Sequence, residues 1–227
     1  MREKKFIMGQ AIRFGWDTMK ENIGFLVLLQ ILIAAIFIAE RVIQKAVTHE
    51  GTALYLIIGV VFSLVVSIAF FVWNNVVSMG LTRIALNYCD KEKATWSDLF
   101  SCIPLFFKYV FTSILYSLIV IGGTILLVVP GIIWAMKFSQ SLYFVIDKGL
   151  GPMAALRESS RITMGAKWDL FLFGLLLALI NLLGALCLLI GLFATIPTTL
   201  VAGAYVYRKL LAYPQAGQPA PEIAPSM

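Results

Sequence analysis

The sequence predicts an all-α, polytopic membrane protein: six transmembrane helices, with short amphipathic helices lying at the interface between them. Three observations carry this reading. Of the 227 residues, 60% are hydrophobic and only 13% charged, where a soluble domain carries roughly 25% charged residues. Several apolar runs approach or exceed the ~18 to 20 residues that cross a bilayer as a helix. The Lys and Arg residues also fall on alternate connections. Arg2 through Lys20, Arg83 through Lys108, Lys148 through Lys167, and Arg208 with Lys209 share one side, leaving only Arg41 and Lys45 on the other and Lys137 within a span. The positive-inside rule then places both termini in the cytoplasm, and the expected location is a bacterial inner membrane.

The chain opens with "MREKKFIMGQAIRFGWDTMKEN", which is basic but has no apolar core directly after the charges. It reads as a retained anchor rather than a signal peptide. Phe6, Ile12 and Trp16 lie among its charges, as in an amphipathic interfacial helix. Spans follow at about residues 23–39, 53–77 (continuing as helix toward Tyr88), 106–129, 131–146, 170–190 and 194–207. The fourth and sixth are short for a ~30 Å hydrocarbon core. Residues 1–212 form one six-span membrane domain. The Pro-, Ala- and Gln-rich stretch 213–227 cannot bury enough apolar surface to order itself and reads as a disordered cytoplasmic tail.

Pro130-Gly131 is expected to close the hairpin between the third and fourth spans. Proline suits a first helical turn, where its missing N–H costs nothing, and glycine supplies dihedral freedom. On the charged side, "ATWSDLFSCIPLFF" opens with Thr95 three residues before Asp98, a capping-box arrangement. "GPMAALRESSRITMGAKWD" puts Met153, Leu156 and Ser160 on one face, with Arg157, Glu158 and Arg161 mostly off it. An amphipathic helix followed by a membrane hairpin thus recurs three times. The identities are few, so the expected repeat is one of pattern.

Candidate functional residues are sparse. Lys137 is the only charge well inside a span, at an insertion cost of ~2.5 to 3.5 kcal/mol. It either snorkels toward headgroups or hydrogen-bonds structurally, or it contacts a ligand or lipid headgroup. Ser139, Gln140, Ser141 and Tyr143 follow it, Asn181 lies in the fifth span, Gln30 in the first, and Asn74 with Asn75 in the second. Such side chains act as interhelical glue or line a polar path. Small residues spaced by four, Gly59, Ser63 and Ser67 in one span and Gly191, Thr195, Thr199 and Gly203 in another, fit close helix packing. Asp147 ends the fourth span and is expected to pair with Arg157 and Arg161 of the next helix. The single His49 and the three cysteines, without a C-x-x-C spacing, offer no metal set and no disulfide framework.

At "PGIIWAMKFSQSLYFVIDKGLGPMAALRESSRITMGAKWDLF" the chain resembles a group of bacterial integral membrane proteins. The group includes the membrane domain attached to some glycerophosphoryl diester phosphodiesterases and similar domains of unknown function. The shared pattern is carried here by Pro130, Gly131, Tyr143, Asp147, Ala155, Ser159 and Gly165. The resemblance implies a six-span bundle and no activity, since the phosphodiesterase chemistry relies on paired histidines. The function expected is therefore that of a non-enzymatic scaffold or a lipid- or envelope-associated partner. It would have no cofactor, with membrane lipids and other membrane or envelope proteins as partners and no nucleic acid. A small transporter or channel with a polar path near Lys137, Gln140 and Asn181 is the alternative, and an intramembrane lipid enzyme a more distant one.

Overall fold

The computed structural model describes residues 5–47, 53–187 and 190–213, and over these the chain is helical without strands. Among the described residues nine α-helices follow in order: α1 Met8–Glu21, α2 Ile23–Val47, α3 Ala53–Cys89, α4 Phe106–Leu126, α5 Val128–Phe138, α6 Ser141–Lys148, α7 Pro152–Ile162, α8 Lys167–Leu186 and α9 Leu192–Ala212. Among the described residues, five stretches are long and apolar enough to cross a membrane: Ile23–Ile43, Val60–Cys89, Trp96–Leu126, Val128–Lys148 and Lys167–Leu186. The expected sixth span is different in kind. α9 has 21 residues, enough for roughly 30 Å at the helical rise, but its Thr, Tyr, Pro197 and the Arg208–Lys209 pair leave it less apolar. It also carries more buried residues than any other described helix. Val201, Ala202, Ala204, Val206, Tyr207 and Leu210 are sealed from solvent. A helix walled by protein can carry polar side chains because neighbouring helices, not lipid, satisfy them.

The packing divides the molecule into two ends. At one end, α9 packs against α1, α3, α8 and α2 and meets α6 through Tyr143 and Phe144, with α4 and α7 packed against α6 in turn. Ile84, Ala85 and Leu86 of α3, Val145 and Ile146 of α6, Ala155 and Ile162 of α7, and Leu170 and Phe173 of α8 are buried there. At the other end the helices splay. Val60, Leu64, Ile68 and Phe71 of α3, Ile114, Leu118 and Ile125 of α4, and Leu175, Leu179 and Leu182 of α8 are all exposed. Large exposed apolar faces of this size mark a surface that meets another apolar phase, here the lipid.

Local chemistry explains the elements and corrects several expectations. Pro130 does sit in the first turn of α5, but the hairpin turns at Leu127, the one residue between α4 and α5, in an extended conformation (φ −166°, ψ 145°). Gly131 is helical and buried. A Cβ there would overlap Thr124 of α4, so the glycine serves close helix approach rather than dihedral freedom. The α8–α9 hairpin repeats the device, with Gly184 backed against Gly191 and Thr195. Of the expected small-residue stripe on α3, Ser67 is exposed and Ser63 donates to the Val60 carbonyl of its own helix at 2.9 Å. The side-chain surroundings of Gly59 lie outside the described residues.

The amphipathic helices are also packed differently from the sequence expectation. α1 presents Ala11, Gly15, Thr18 and Met19 inward, with Gly15 against the backbone of Thr198 and Ala202, while Trp16 faces outward. α7 buries Ala155, Leu156, Ser159 and Ile162 and leaves Met153 exposed. Between α3 and α4 no α-helix forms. Two short 3-10 turns, Trp96–Leu99 and Ile103–Leu105, stand there instead, although the Thr95–Asp98 capping box is present, with Asp98 Oδ2 accepting from the Thr95 N–H at 2.7 Å. An α-helix thus precedes the apolar helices at α1 and α7, while 3-10 turns precede α4. Tyr213 at the head of the expected tail lies under Lys5 Nζ, 5.2 Å from the ring centroid. Residues 214–227 and His49 lie outside the described residues.

Candidate functional site

The residues singled out in the sequence fall into four places rather than one. The first is a break in the Val128–Lys148 span. α5 ends at Phe138, α6 begins at Ser141, and the Lys137 carbonyl loses its helical partner across the gap. α7 supplies the replacement. Ser159 Oγ donates to Lys137 O at 3.0 Å, Thr163 Oγ1 donates to the same oxygen at 3.0 Å, and the Gln140 N–H donates to Ser159 Oγ at 3.1 Å. Ser159 and Thr163 are four apart and share a helix face, which is why α7 docks here. The Lys137 side chain does not enter this arrangement; its Nζ lies over the Phe138 ring, 5.1 Å from the centroid. Gln140 is buried, and its Oε1, like the Oγ of Ser141, has no hydrogen-bond partner.

The second place is a charge network joining the ends of α3, α6 and α9. Arg208 donates through Nη1 to Asp147 Oδ1 at 2.9 Å and through Nη2 to Asp90 Oδ2. Tyr207 OH donates to Asp147 Oδ2 at 2.9 Å, and Lys148 Nζ stands 3.5 Å from the same oxygen. The expected pairing of Asp147 with Arg157 and Arg161 is thus replaced. The Asp147 side chain is only 7% exposed and points toward α9, where a guanidinium and a phenol satisfy both oxygens before α7 begins. Tyr143 is stacked on Tyr207, centroids 5.2 Å apart, and its hydroxyl fits against Gly203. Asp90 and Arg208 were not singled out in the sequence. The only signal available was that each charge ends a helix on the same side as Asp147.

Asn181 is in the third place, between α8 and α9, where its Nδ2 donates to Thr199 Oγ1 at 3.2 Å. It meets neither Lys137 nor Gln140 among the described residues, so these three side chains do not form one polar path by contact. Asn74 and Asn75 donate to the Phe70 and Phe71 carbonyls of their own helix at 2.9 and 2.8 Å. Such back-bonding hides donors from lipid.

The fourth place gathers the cations. A groove of about 490 Å³ runs along α7, lined by Ala154, Arg157, Glu158 and Arg161, with Phe144 and Lys148 of α6, Leu150, and Leu211 of α9 as its other walls. The spacing 154, 157, 158, 161 is one helical stripe. The opposite stripe of α7 is the one buried on the span break, so docking of Ser159 and Thr163 is what turns Arg157 and Arg161 outward. The corner that aims α7 is built by Gly149, whose φ of 62° is the left-handed helix cap that glycine adopts without strain. Lys108 Nζ reaches across from α4 to the Gly149 carbonyl at 2.8 Å. Arg161 pairs with Glu158, and Arg157 meets no carboxylate among the described residues. The groove lining thus sets three cations, Lys148, Arg157 and Arg161, against one carboxylate, Glu158, beside apolar walls. Nearby, Lys5 Nζ donates to the Ile162 carbonyl at 3.3 Å, and burial holds its ammonium below the usual lysine range.

Cys89, Cys102 and Cys187 are free thiols. Comparison of the chain with protein-family models, with curated proteins and with solved structures finds no match. The site's chemistry therefore stands on its own residues.

Proposed function

We propose that this chain is a non-enzymatic, six-span protein of a bacterial inner membrane, with both termini in the cytoplasm. In this reading it is a scaffold that holds anionic lipid headgroups, and through them or beside them other envelope proteins, at the α7 groove. The sixth span in this reading is α9, shielded from lipid by its neighbours. The one observation that carries the function is the convergence of Arg157, Arg161 and Lys148 on an apolar-walled groove at the charged end of the bundle. Basic pockets at the cytoplasmic side of transmembrane helices suit phosphate headgroups, and guanidinium groups match phosphate oxygens in pairs. The orientation follows the same logic, since the groove lies on the side that takes most of the Lys and Arg residues.

The test uses the full chain in neutral detergent, titrated with phosphatidylglycerol or phosphatidylcholine and read by native mass spectrometry of bound lipid. Phosphatidylglycerol is expected to bind in preference. At about 1 kcal/mol per basic residue, the Arg157→Gln/Arg161→Gln variant should bind it roughly 30-fold more weakly. Equal retention of both lipids, or an unchanged titration in the variant, would remove the proposal. Inorganic phosphate competing at millimolar concentration would identify a free anion, rather than a lipid, as the ligand.

A second reading, a small transporter, is favoured by one feature only. The α5–α6 span is broken where Gln140 Oε1 and Ser141 Oγ are buried without partners, and discontinuous helices mark binding sites in transporters. That reading predicts that Lys137→Ala abolishes solute flux in proteoliposomes while the fold persists; flux retained in the variant would set it aside.

A further inference from the structure

A cleft that shares no lining residue with the α7 groove opens between α5 and α8, beside the turn that joins α7 to α8. It measures about 270 Å³, a little below the ~300–1,000 Å³ of sites that enclose a whole ligand. Ile132, Ile133 and Met136 of α5 line one side, Trp168 and Phe171 of α8 the other, and Met164 and Gly165 come from the turn. Gly165 has a φ of 81°, a left-handed conformation that glycine adopts without strain, and the chain reverses there from α7 into α8. Lys167 is the only charged residue in the lining, and no carboxylate lines the cleft. Among the described residues its ammonium meets no carboxylate. Asp169, the acid in the first turn of α8, is not part of the lining. Lys167 and Phe171 are four apart and share a face of α8. The Lys167–Leu186 span begins at that lysine, so the cleft is charged where α8 starts and apolar one turn further in. Lys5 comes close to the same turn. Its Nζ donates to the Ile162 carbonyl at 3.3 Å, and a Cβ on Gly165 would stand 4.0 Å from its Cε. Held by that carbonyl, Lys5 adds positive potential here rather than a spare donor. Met164 and Trp168 are about two-thirds exposed, so one side of the cleft faces the lipid.

We propose that this cleft seats one acyl chain of an anionic phospholipid, with the phosphate at Lys167 and the chain running past Phe171 and Met136 toward Ile132. The second chain stays in the bilayer on the exposed side, beside Trp168, a residue type that favours the headgroup level. An apolar slot alone would take any lipid. The lysine without a carboxylate is what selects a negative headgroup. An acidic peptide is disfavoured, because it would leave the apolar walls unfilled. Met136 and Met164 suit such a slot, since their unbranched side chains adapt to an irregular surface. A seated chain would brace α5 against α8 directly before the break at Phe138. The proposal does not depend on the α7 groove.

The test places the full chain in phosphatidylcholine nanodiscs with increasing fractions of phosphatidylglycerol or phosphatidylcholine brominated on the acyl chains. Quenching of Trp fluorescence is the readout. Brominated phosphatidylglycerol is expected to quench saturably, at a mole fraction roughly fivefold lower than brominated phosphatidylcholine requires. The saturable part should be absent from Trp168→Phe. Lys167→Gln should erase the preference and Lys167→Arg should keep it. Ile133→Phe, which narrows the slot without touching the charge, should weaken the saturable part several-fold. Arg157→Gln/Arg161→Gln should leave it unchanged, so failure of the α7 groove and failure of this cleft give different results. Equal quenching by the two lipids in wild type, saturable quenching that survives Trp168→Phe, or a preference that survives Lys167→Gln would each overturn the proposal. An unaltered Ile133→Phe variant would show headgroup attraction without a seated chain and would overturn it too. So would a loss confined to the Arg157→Gln/Arg161→Gln variant, which would put the lipid in the α7 groove.

Discussion

Ile84 and Ile125 are the same residue type on neighbouring long helices, yet one is fully buried and the other 81% exposed. They represent the two ends of the molecule. Around Ile84, helices α3, α6, α7 and α9 share one buried core, and Asp147, Ser159 and Thr163 at this end are hydrogen-bonded to groups on neighbouring helices. Around Ile125 the helices diverge, touch chiefly through glycine and threonine, and present Leu, Ile and Phe outward. The difference shows where each solvent acts. Lipid is as apolar as leucine, so the splayed end gains little from burying side chains and associates through close backbone approach. The packed end carries the charges and the helix termini, and there burial has to be matched by hydrogen bonds.

The sharpest way to break this comparison is to truncate both isoleucines. Ile84→Ala leaves a cavity in a packed region and is expected to cost roughly 3 to 4 kcal/mol. Ile125→Ala removes atoms that face lipid and should stay within about 0.5 kcal/mol of wild type. Reversible denaturant unfolding in mixed micelles measures both. Equal costs would mean that the splayed end is covered by something other than lipid or detergent.

Next in size is the charge network. Arg208→Met leaves Asp147, almost wholly buried, facing only Tyr207 and Lys148. Breaking a buried pair by removing one partner costs 3–5 kcal/mol, and the partial exposure of Arg208 puts the expectation near about 3 kcal/mol. Asp147→Asn combined with Arg208→Met should recover a good part of that loss, since no unpaired charge then remains. Asp90→Asn, at the more exposed branch, should cost less than about 1 kcal/mol. If the double variant is as unstable as Arg208→Met alone, packing rather than charge holds the three helix ends together.

What the sequence could and could not convey follows from the same two solvents. The extents of α3, α4 and α8, Pro130 in a first helical turn, the Thr95–Asp98 box and the Asn181 contact between two spans were all readable, because each rests on length, capping or a polar atom out of place. The interior was not. In α3 the exposed Val60, Leu64 and Ile68 and the buried Ile84, Ala85 and Leu86 are drawn from one alphabet. Where both lipid and core are apolar, periodicity no longer tells inside from outside. α9 was read as a short span, about residues 194–207, for the complementary reason: the Thr and Tyr residues that interrupt its apolar run belong to a longer helix, Leu192–Ala212, surrounded by protein. α7 was read by its large residues, Met153 and Leu156, whereas its docking face is set by Ser159 and Thr163, whose partner, a carbonyl orphaned by a helix break, is visible only once the chain is folded.

That docking face gives a prediction of intermediate size. Ser159→Ala removes the acceptor for the Gln140 N–H and one of two donors to the Lys137 carbonyl. An orphaned buried amide should cost about 1.5 kcal/mol. Because the bond lies at the span break, hydrogen exchange at the Gln140 amide should accelerate more than at Val145, one turn further along α6. Uniform acceleration along α5 and α6 would show that α7 stabilises the whole span rather than its break.

The smallest effect is expected at Asn181, and it tests the splayed end from its own side. Asn181 and Thr199 form the side-chain hydrogen bond between α8 and α9, and polar contacts within membranes average ~0.6 kcal/mol because the separated helices find other partners. Asn181→Leu and Thr199→Val should each lose about that much, and the double variant should lose no more than either alone, since both remove one bond. A coupling near zero would mean that Gly184 against Gly191 and Thr195 already fixes the α8–α9 register by close approach. A coupling well above ~2 kcal/mol would mean that this contact lies in a drier, more enclosed region than the exposed Leu179 and Leu182 beside it imply, and that the packed end extends further along α9 than its buried residues mark.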